Sequence, residues 1–379
     1  MIRALAAVGG VAALAAAVNV AIGGYVARRV IAPRTEKKSI AVGVTGDTVT
    51  VPVSEETTQP GTYGIWLRSG AHVAVGEVLR VREHDVVRAV LSDTRAPRDD
   101  SDTGVWSSQY LASPHDVGPT TTVPIELADG GTAQAWEIAP ADGDDGRWAI
   151  HIHGLRSSRL GALRSTPPTV AAGWRSLVVS YAGDDERIPS DGLPSSLGTR
   201  EWADVESAMH YAVSQGAREI ILVAWSMGAT IALLALEHSS VADRVVGLVL
   251  VAPALEWSRV ITNATRGAHL PPTVAAAAVG VLRSPLGSRV LRLREPVDAA
   301  ALNWVDGHRG AVAIPTLILH SRHDPVVPFS GSADFAATHP EVELVEFSTT
   351  GHCNEPNQNP ELFTGSIDAW LAEFHRQTP

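Results

Sequence analysis

Residues 221–230 read ILVAWSMGAT. Ile221 to Trp225 form a short apolar run, and Met227 to Glu237 continue as small and aliphatic residues without a helix breaker. An apolar run of that length reads as a buried strand, and the residues behind it read as a helix packed against the strand. One serine, Ser226, stands between the two. The pattern departs by one residue from G-x-S-x-G, the strand-to-helix turn that lifts a serine hydroxyl clear of its surroundings, because Ala224 occupies the first glycine position. Small residues two before and two after the serine relieve crowding between strand and helix. Gly228 meets that need fully, and Ala224 exceeds it by one methyl. In such a turn Ser226 lies at a helix N-terminus, where free amides and the helix dipole favour developing negative charge. A serine hydroxyl is still a poor nucleophile without a base and a third group that orients the base.

Outward from this junction, strands alternate with helices. Thr121–Pro140 reads as a hairpin turning at Asp129, Gly130 and Gly131, and strands follow at Trp148–His153 and Arg175–Tyr181. A helix over Thr199–Gly216 has Thr199 as its N-cap and Gly216 as its stop. After strand Glu219–Trp225 and helix Met227–Glu237 come strands Val245–Ala252 and Thr316–His320. A helix near Ala333–Thr338, strand Val342–Phe347 and helix Pro360–Arg376 close the chain. This alternation predicts an α/β fold with a mostly parallel, doubly wound sheet covered on both faces. A mostly helical, Ala- and Arg-rich segment from about 255 to 312, containing Pro271, Pro272 and Pro285, interrupts it as an insertion above a sheet edge would.

Reactive groups in an open α/β sheet collect on loops leaving the carboxyl ends of strands. Two further candidates sit there. LILHSRHDPVVP, residues 317–328, ends a strand and delivers Asp324, with Pro325 stopping its continuation; VEFSTTGHCNEP, residues 345–356, ends the next strand and delivers His352 after Gly351. Serine, acid and histidine thus occur in one order, each just past a strand end.

From about Thr120 to the C-terminus the chain resembles the α/β-hydrolase superfamily, on the strength of AWSMGA, HSRHDPVVP and TTGHC as nucleophile, acid and histidine loops. IHIHGLRSS, residues 150–158, resembles its His-Gly loop. That resemblance implies an oxyanion hole made by the backbone amides of Leu155 and Met227. LGTREWADVESAMHYA, residues 197–212, and the insertion after VLVAPAL resemble most the prolyl-oligopeptidase-like and serine-aminopeptidase-like branch, although the preceding β-rich unit is too short for the propeller of true oligopeptidases. The resemblance implies an α/β-hydrolase fold with a helical lid at about 255–312, in which Trp257 and Trp304 are available for an apolar wall. The implied enzyme is a serine hydrolase with the triad Ser226, His352 and Asp324, without metal or other cofactor, acting on a small-molecule acyl substrate. Carboxylic esters are the first expectation. A small peptide or amide, or acyl transfer to an acceptor other than water, uses the same residues. A catalytically inactive fold serving as a membrane scaffold is the reading from another class, and the presence of all three triad residue types in order argues against it.

Each residue also has a plain structural role to set beside the chemical one. Ser226 can be a helix N-cap, Asp324 a turn aspartate before proline, and His352 a surface-loop histidine. His151 and His320 lie within strands and read as packed histidines, His153 as a loop-bonding residue, and Arg156 as a solvated arginine or a contact for an anionic substrate group. Cys353 reads as a small buried residue.

The 379 residues are 45% hydrophobic and 19% charged, enough for a large core in more than one folding unit. The net charge of −11 and the lack of a Lys/Arg-rich run beyond the first forty residues argue against nucleic acid as a partner. A single cysteine excludes an intrachain disulfide. Three segments are expected. Residues 1–34 hold an uncharged stretch, Ala4–Ala27, of about 24 residues, which at roughly 1.5 Å per residue crosses a hydrocarbon core of about 30 Å. This predicts a single-pass membrane anchor. Arg28, Arg29, Arg34, Lys37 and Lys38 after it place the bulk of the chain in the cytoplasm, with export as the alternative. Residues 35–118 alternate apolar and polar residues as a small β-rich unit, with Ser92–Gly104 as a surface loop, and residues 119–379 form the α/β unit.

Overall fold

Period-two alternation shapes the first globular part of the chain. Strands β1 (Ile40–Thr45), β2 (Thr48–Pro52), β3 (Tyr63–Leu67), β4 (His72–Val81), β5 (Asp85–Asp93) and β6 (Ser101–Ser107) close into a barrel in the order β1-β2-β5-β4-β3-β6. Val42 and Val44, Val49 and Val51, Ile65 and Leu67, and Val73 and Val75 fill its interior as alternate residues of their strands. The structure, a computed structural model, describes residues 2–33, 38–94, 101–127, 129–141, 143, 145–182, 184, 187–188, 193–306, 309–310 and 312–377, without the side chains of 2–13, 15, 101, 187–188 and 374–377. The surface loop expected at Ser92–Gly104 is shorter than its composition suggests. Ser101 to Gly104 pair with Gly43 to Ile40 and complete the barrel, so pairing overrides the turn-like composition of Ser101, Asp102 and Thr103.

The second sheet contains β7 (Thr120–Glu126), β8 (Thr132–Ile138), β9 (Arg147–Ile152), β10 (Arg175–Val179), β11 (Arg187–Ile188), β12 (Glu219–Trp225), β13 (Val245–Val251), β14 (Thr316–His323) and β15 (Val342–Thr350). Its order is β11-β8-β10-β9-β12-β13-β14-β15, with β7 on β8. β8 runs antiparallel to its neighbours, while β10, β9, β12, β13, β14 and β15 pair in parallel. Both faces are covered, so the strands read as continuous apolar runs. In β12, Ile220, Leu222 and Ala224 enter one core cluster while Ile221, Val223 and Trp225 enter the other. Helices α5 (Glu201–Ser214) and α6 (Met227–His238) pack on the first face; Phe363, Ile367 and Leu371 of α12 (Pro360–Gln377) pack on the second. The helix that Thr199 was expected to cap starts instead at Glu201. Arg200 is its N-cap, and the Glu201 carboxylate takes the amides of Ser196, Gly198 and Arg200.

Between β13 and β14 lie α7 (Trp257–Gly267), α8 (Pro272–Arg283) and α9 (Pro285–Leu291). Trp257 and Trp304, expected to line a pocket, are buried. They donate their indole N–H groups to Thr230 at 3.0 Å and Glu237 at 2.6 Å, and so fasten this insertion to α6. The N-terminal helix α1 (Ile2–Ile31) runs along α8. Asn19 and Thr273 exchange two 3.0 Å hydrogen bonds, a Cβ on Gly23 would fall 2.7 Å from that of Ala277, and Val26, Ala27 and Ile31 join the core. The expected span Ala4–Ala27 falls on this helix, and the side chains of its first part lie outside the described residues. Among the described residues no single helix is long and apolar enough to cross a membrane.

Candidate active site

β12 ends at Trp225 and α6 begins at Met227, so Ser226 alone makes the turn. Its φ of 52° and ψ of −114° place a side-chain-bearing residue where few sit without strain. Three backbone hydrogen bonds hold it: Ser226 N to Val251 O at 2.9 Å, Ala254 N to Ser226 O at 3.0 Å, and Ala229 N to Ser226 O at 3.1 Å. The hydroxyl makes no cap bond to α6, which leaves it for another partner. A Cβ on Gly228 would fall 2.5 Å from the Ile152 carbonyl oxygen, so only glycine lets α6 start this close to the end of β9. Ala224 is fully buried with its methyl in the core.

The partner is His352. Its Nε2 lies 2.8 Å from Ser226 Oγ, and its Nδ1 lies 2.6 Å from Asp324 Oδ2. Donation of the Nδ1 proton to the carboxylate leaves Nε2 as the acceptor for the serine hydroxyl. β14 stops one residue before Asp324; β15 stops two before His352, and Gly351 turns with φ of 84°. The other Asp324 oxygen accepts the amides of Val326 at 2.8 Å and Val327 at 3.0 Å. Burial alone would raise the Asp324 pKa, but the charge and hydrogen bond of His352, with His320, hold it well below the usual carboxylate range. Burial works against the His352 imidazolium, and the neighbouring Cys353 and Asp324 outweigh it, so its pKa lies well above the ordinary histidine value. Burial pushes the Cys353 thiol up.

On the other side of the serine, a Cβ on Gly154 would come within 3.0 Å of Ser226 Cβ, so the loop after β9 passes directly beside the hydroxyl. Leu155 and Met227 line one cavity of about 20 Å³, shared with Tyr181, Ser195 and Pro33, a space on the order of a single water. His153 is engaged away from the serine. Its Nδ1 donates to Gly154 O at 2.9 Å, its Nε2 lies 3.3 Å from buried Asp184, and its ring stacks on Tyr181, whose hydroxyl donates to His153 O at 2.6 Å. Both ring nitrogens of His151 meet hydroxyls, of Ser165 at 2.9 Å and Ser176 at 3.1 Å, and burial takes its pKa down to about 3.

Three further supports stand around these residues. His320, read as a packed histidine, is buried with Nε2 3.3 Å from Asp324 Oδ2 and Nδ1 2.8 Å from Ser332 Oγ; its spacing of four residues before Asp324 was the available signal. Arg156, read as solvated or as an anion contact, has φ of 60°. It donates to the carbonyls of Arg29, Val30 and Ala32 at the end of α1, while Ser195 N donates to Ile31 O at 3.0 Å. Gln59 and Thr62 of the barrel meet Asn354 and Asn357 behind His352.

Comparison with known proteins agrees with this architecture. A family model described as "Serine hydrolase" matches residues 174–365, just over half of the chain, and one described as "Domain of unknown function (DUF8805)" matches residues 40–107. No curated protein matches the chain at a significant level. Among solved structures, an esterase of Pyrococcus furiosus is similar with a TM-score of 0.53 at 17% identity, over 69% of this chain and 94% of that one. Est1E of Butyrivibrio proteoclasticus with ferulic acid bound is similar with a TM-score of 0.52 at 18% identity, over 67% of this chain and all of that one. At these identities the likeness shows the α/β-hydrolase fold alone.

Proposed function

The chain belongs to the serine hydrolase family, and from that premise we propose that it cleaves carboxylic esters through Ser226, His352 and Asp324. The observation that carries the proposal is the unbroken line from Asp324 through His352 to the hydroxyl of a strained Ser226. In this reading His352 Nε2 takes the serine proton as Oγ attacks the acyl carbon, and Asp324 fixes the imidazole and stabilises the imidazolium. The Leu155 and Met227 amides receive the oxyanion, each contributing about 3–4 kcal/mol in the transition state. His352 then protonates the leaving alkoxide, and water, activated by the same histidine, releases the acid. An ester is the first substrate expected for this set, because its carbonyl lacks the resonance stabilisation of an amide and an alkoxide leaves more readily than an amide anion.

The test is a panel of p-nitrophenyl esters of graded chain length beside aminoacyl and peptidyl amides, with wild type and Ser226→Ala. The expected outcome is ester turnover that falls by roughly 10³–10⁶ in Ser226→Ala. Preferential amide cleavage would move the assignment to peptides. The base must be neutral, so kcat/KM rises with pH through the His352 pKa, and the acid limb of the profile lies above pH 6.5. A limb below that value would contradict the Asp324–His352 coupling.

We also propose that α1 holds the protein at a membrane, with the basic residues after it on the cytoplasmic side and the catalytic unit there with them. Leu14, Val18, Val20 and Tyr25 are exposed on the helix, while its end is bonded to Arg156 beside the cavity under Leu155. Protease digestion of the catalytic unit in intact spheroplasts would overturn that sidedness.

A further inference from the structure

We propose that the β-barrel is a positioning element for His352, acting through the loop of residues 57–63. The inference rests on the assignment of His352 as the general base. His352 stands on a short loop between β15 and α11 (Glu355–Gln358), and three neutral amides of that loop and helix end on the barrel. Asn357 is fully buried and has every side-chain bond committed. Its Nδ2 donates to Thr62 O at 2.6 Å and to Ser108 O, just past β6, at 2.8 Å, and its Oδ1 accepts from Arg164. Arg164 donates in turn to Cys353 O at 2.8 Å, the carbonyl next to His352. Asn354 donates to Gln59 Oε1 at 3.2 Å and to Thr350 O at 2.9 Å, so one side chain ties the two ends of the histidine turn to the barrel. Gln358 Nε2 reaches Tyr63 OH at 3.0 Å. The backbones meet as well: Thr62 N donates to Asn357 O at 2.8 Å, and a Cβ on Gly61 would fall 2.1 Å from that oxygen.

The barrel side of this contact is rigid for an unusual reason. Arg88 is fully buried, and its guanidinium is spent on backbone carbonyls of the same loop: Thr57 at 3.0 Å, Gln59 at 2.8 Å and Gly61 at 2.6 Å, with Gly76 on β4 taking Nε at 2.9 Å. Burial takes its pKa down to about 10, and the group remains a cation. A cation buried on carbonyls costs more than an apolar filling of the same volume would. It gives in exchange a loop fixed at three alternate carbonyls, and that loop carries Gln59 and Thr62. The barrel thus reaches the base through two short paths, Gln59–Asn354 and Thr62–Asn357–Arg164–Cys353. Small displacements of a catalytic group reduce kcat steeply, and a barrel docked here removes freedom from the one triad residue whose loop leads into a helix of only four residues.

The experiment uses the full chain carrying Gln59→Ala, Gln59→Glu or Asn357→Ala, with kcat, KM and the kcat–pH profile on a p-nitrophenyl ester. Gln59→Ala is expected to lower kcat about five- to twentyfold with KM within about twofold. It should also move the acid limb to lower pH, because a looser His352 is less firmly paired with Asp324. Gln59→Glu restores most of kcat, since all the bonds reaching the Gln59 side chain from its neighbours end on Oε1. Asn357→Ala acts in the same direction and more strongly; if it fails to fold, Gln59→Ala decides alone. A folded Gln59→Ala enzyme with unchanged kcat and acid limb overturns the proposal, as does a fall in kcat with the limb in place, which is what general destabilisation would produce. A wild-type enzyme that turns over no ester and takes no fluorophosphonate would instead remove the assignment of the triad.

Discussion

The two sides of Ser226 are held by different chemistry. On the Gly154 side, the loop after β9 is tied to the end of α1 by one cation, Arg156, on the last carbonyls of a helix. On the histidine side, the loop after β15 and the helix behind it reach the barrel through neutral amides; one buried cation, Arg88, lies inside the barrel, and another, Arg164, links Asn357 to the Cys353 carbonyl. A guanidinium at a helix C-terminus is charge-assisted and aligned with the helix dipole; being partly exposed, it is also open to salt and competition from water. Neutral amides buried against backbone are indifferent to salt and intolerant of displacement.

The largest expected effect lies on the histidine side. Asp324→Asn keeps the shape and removes the charge, and should cost about 10⁴ in kcat, as a wrong histidine tautomer does elsewhere; a loss under tenfold would mean that His352 is oriented mainly by the barrel. On the Gly154 side Arg156→Ala should leave the fold intact but weaken the seat of α1 by about 1–2 kcal/mol. The readout is tryptic cleavage after Arg28 and Arg29, expected to speed up about tenfold, with kcat lowered by less than that. Equal cleavage rates would show that Asn19, Gly23 and the buried Val26, Ala27 and Ile31 hold the helix without help. The smallest effect is expected at Ala224→Gly. It restores the G-x-S-x-G pattern, yet empties a methyl site in the core, so kcat should stay within about twofold while stability falls by about 0.5–1 kcal/mol.

The same contrast explains what could be read from the chain before folding. The convergence of Ser226, Asp324 and His352 was legible because each comes just after a strand, and strand ends in such a sheet gather their loops at one edge. The strand Glu219–Trp225 falls where its apolar run does, with alternate residues facing the two cores. The supports were not legible. Gln59 and Asn354 are 295 residues apart, and an amide in a loop carries no pattern that names its partner. Arg156 comes after Leu155 in a turn, and nothing in a turn says that a helix from the far end of the chain will end there. Thr199 had the composition of an N-cap and lost the place to Arg200: its hydroxyl donates back to Ser196 O, and the first helix amides, of Trp202 and Ala203, bond the carbonyls of Gly198 and Arg200 instead. Trp257 and Trp304 looked like pocket walls, and each had an indole N–H that found an acceptor on α6 instead.

The most direct test of the account is the site of covalent capture. Wild-type protein incubated with a fluorophosphonate, digested and analysed by peptide mass should carry one adduct, on Ser226, and Ser226→Ala should carry none while retaining its thermal unfolding transition. A folded wild type without adduct, or one labelled at another residue, would contradict the claim that the line from Asp324 through His352 makes Ser226 the nucleophile.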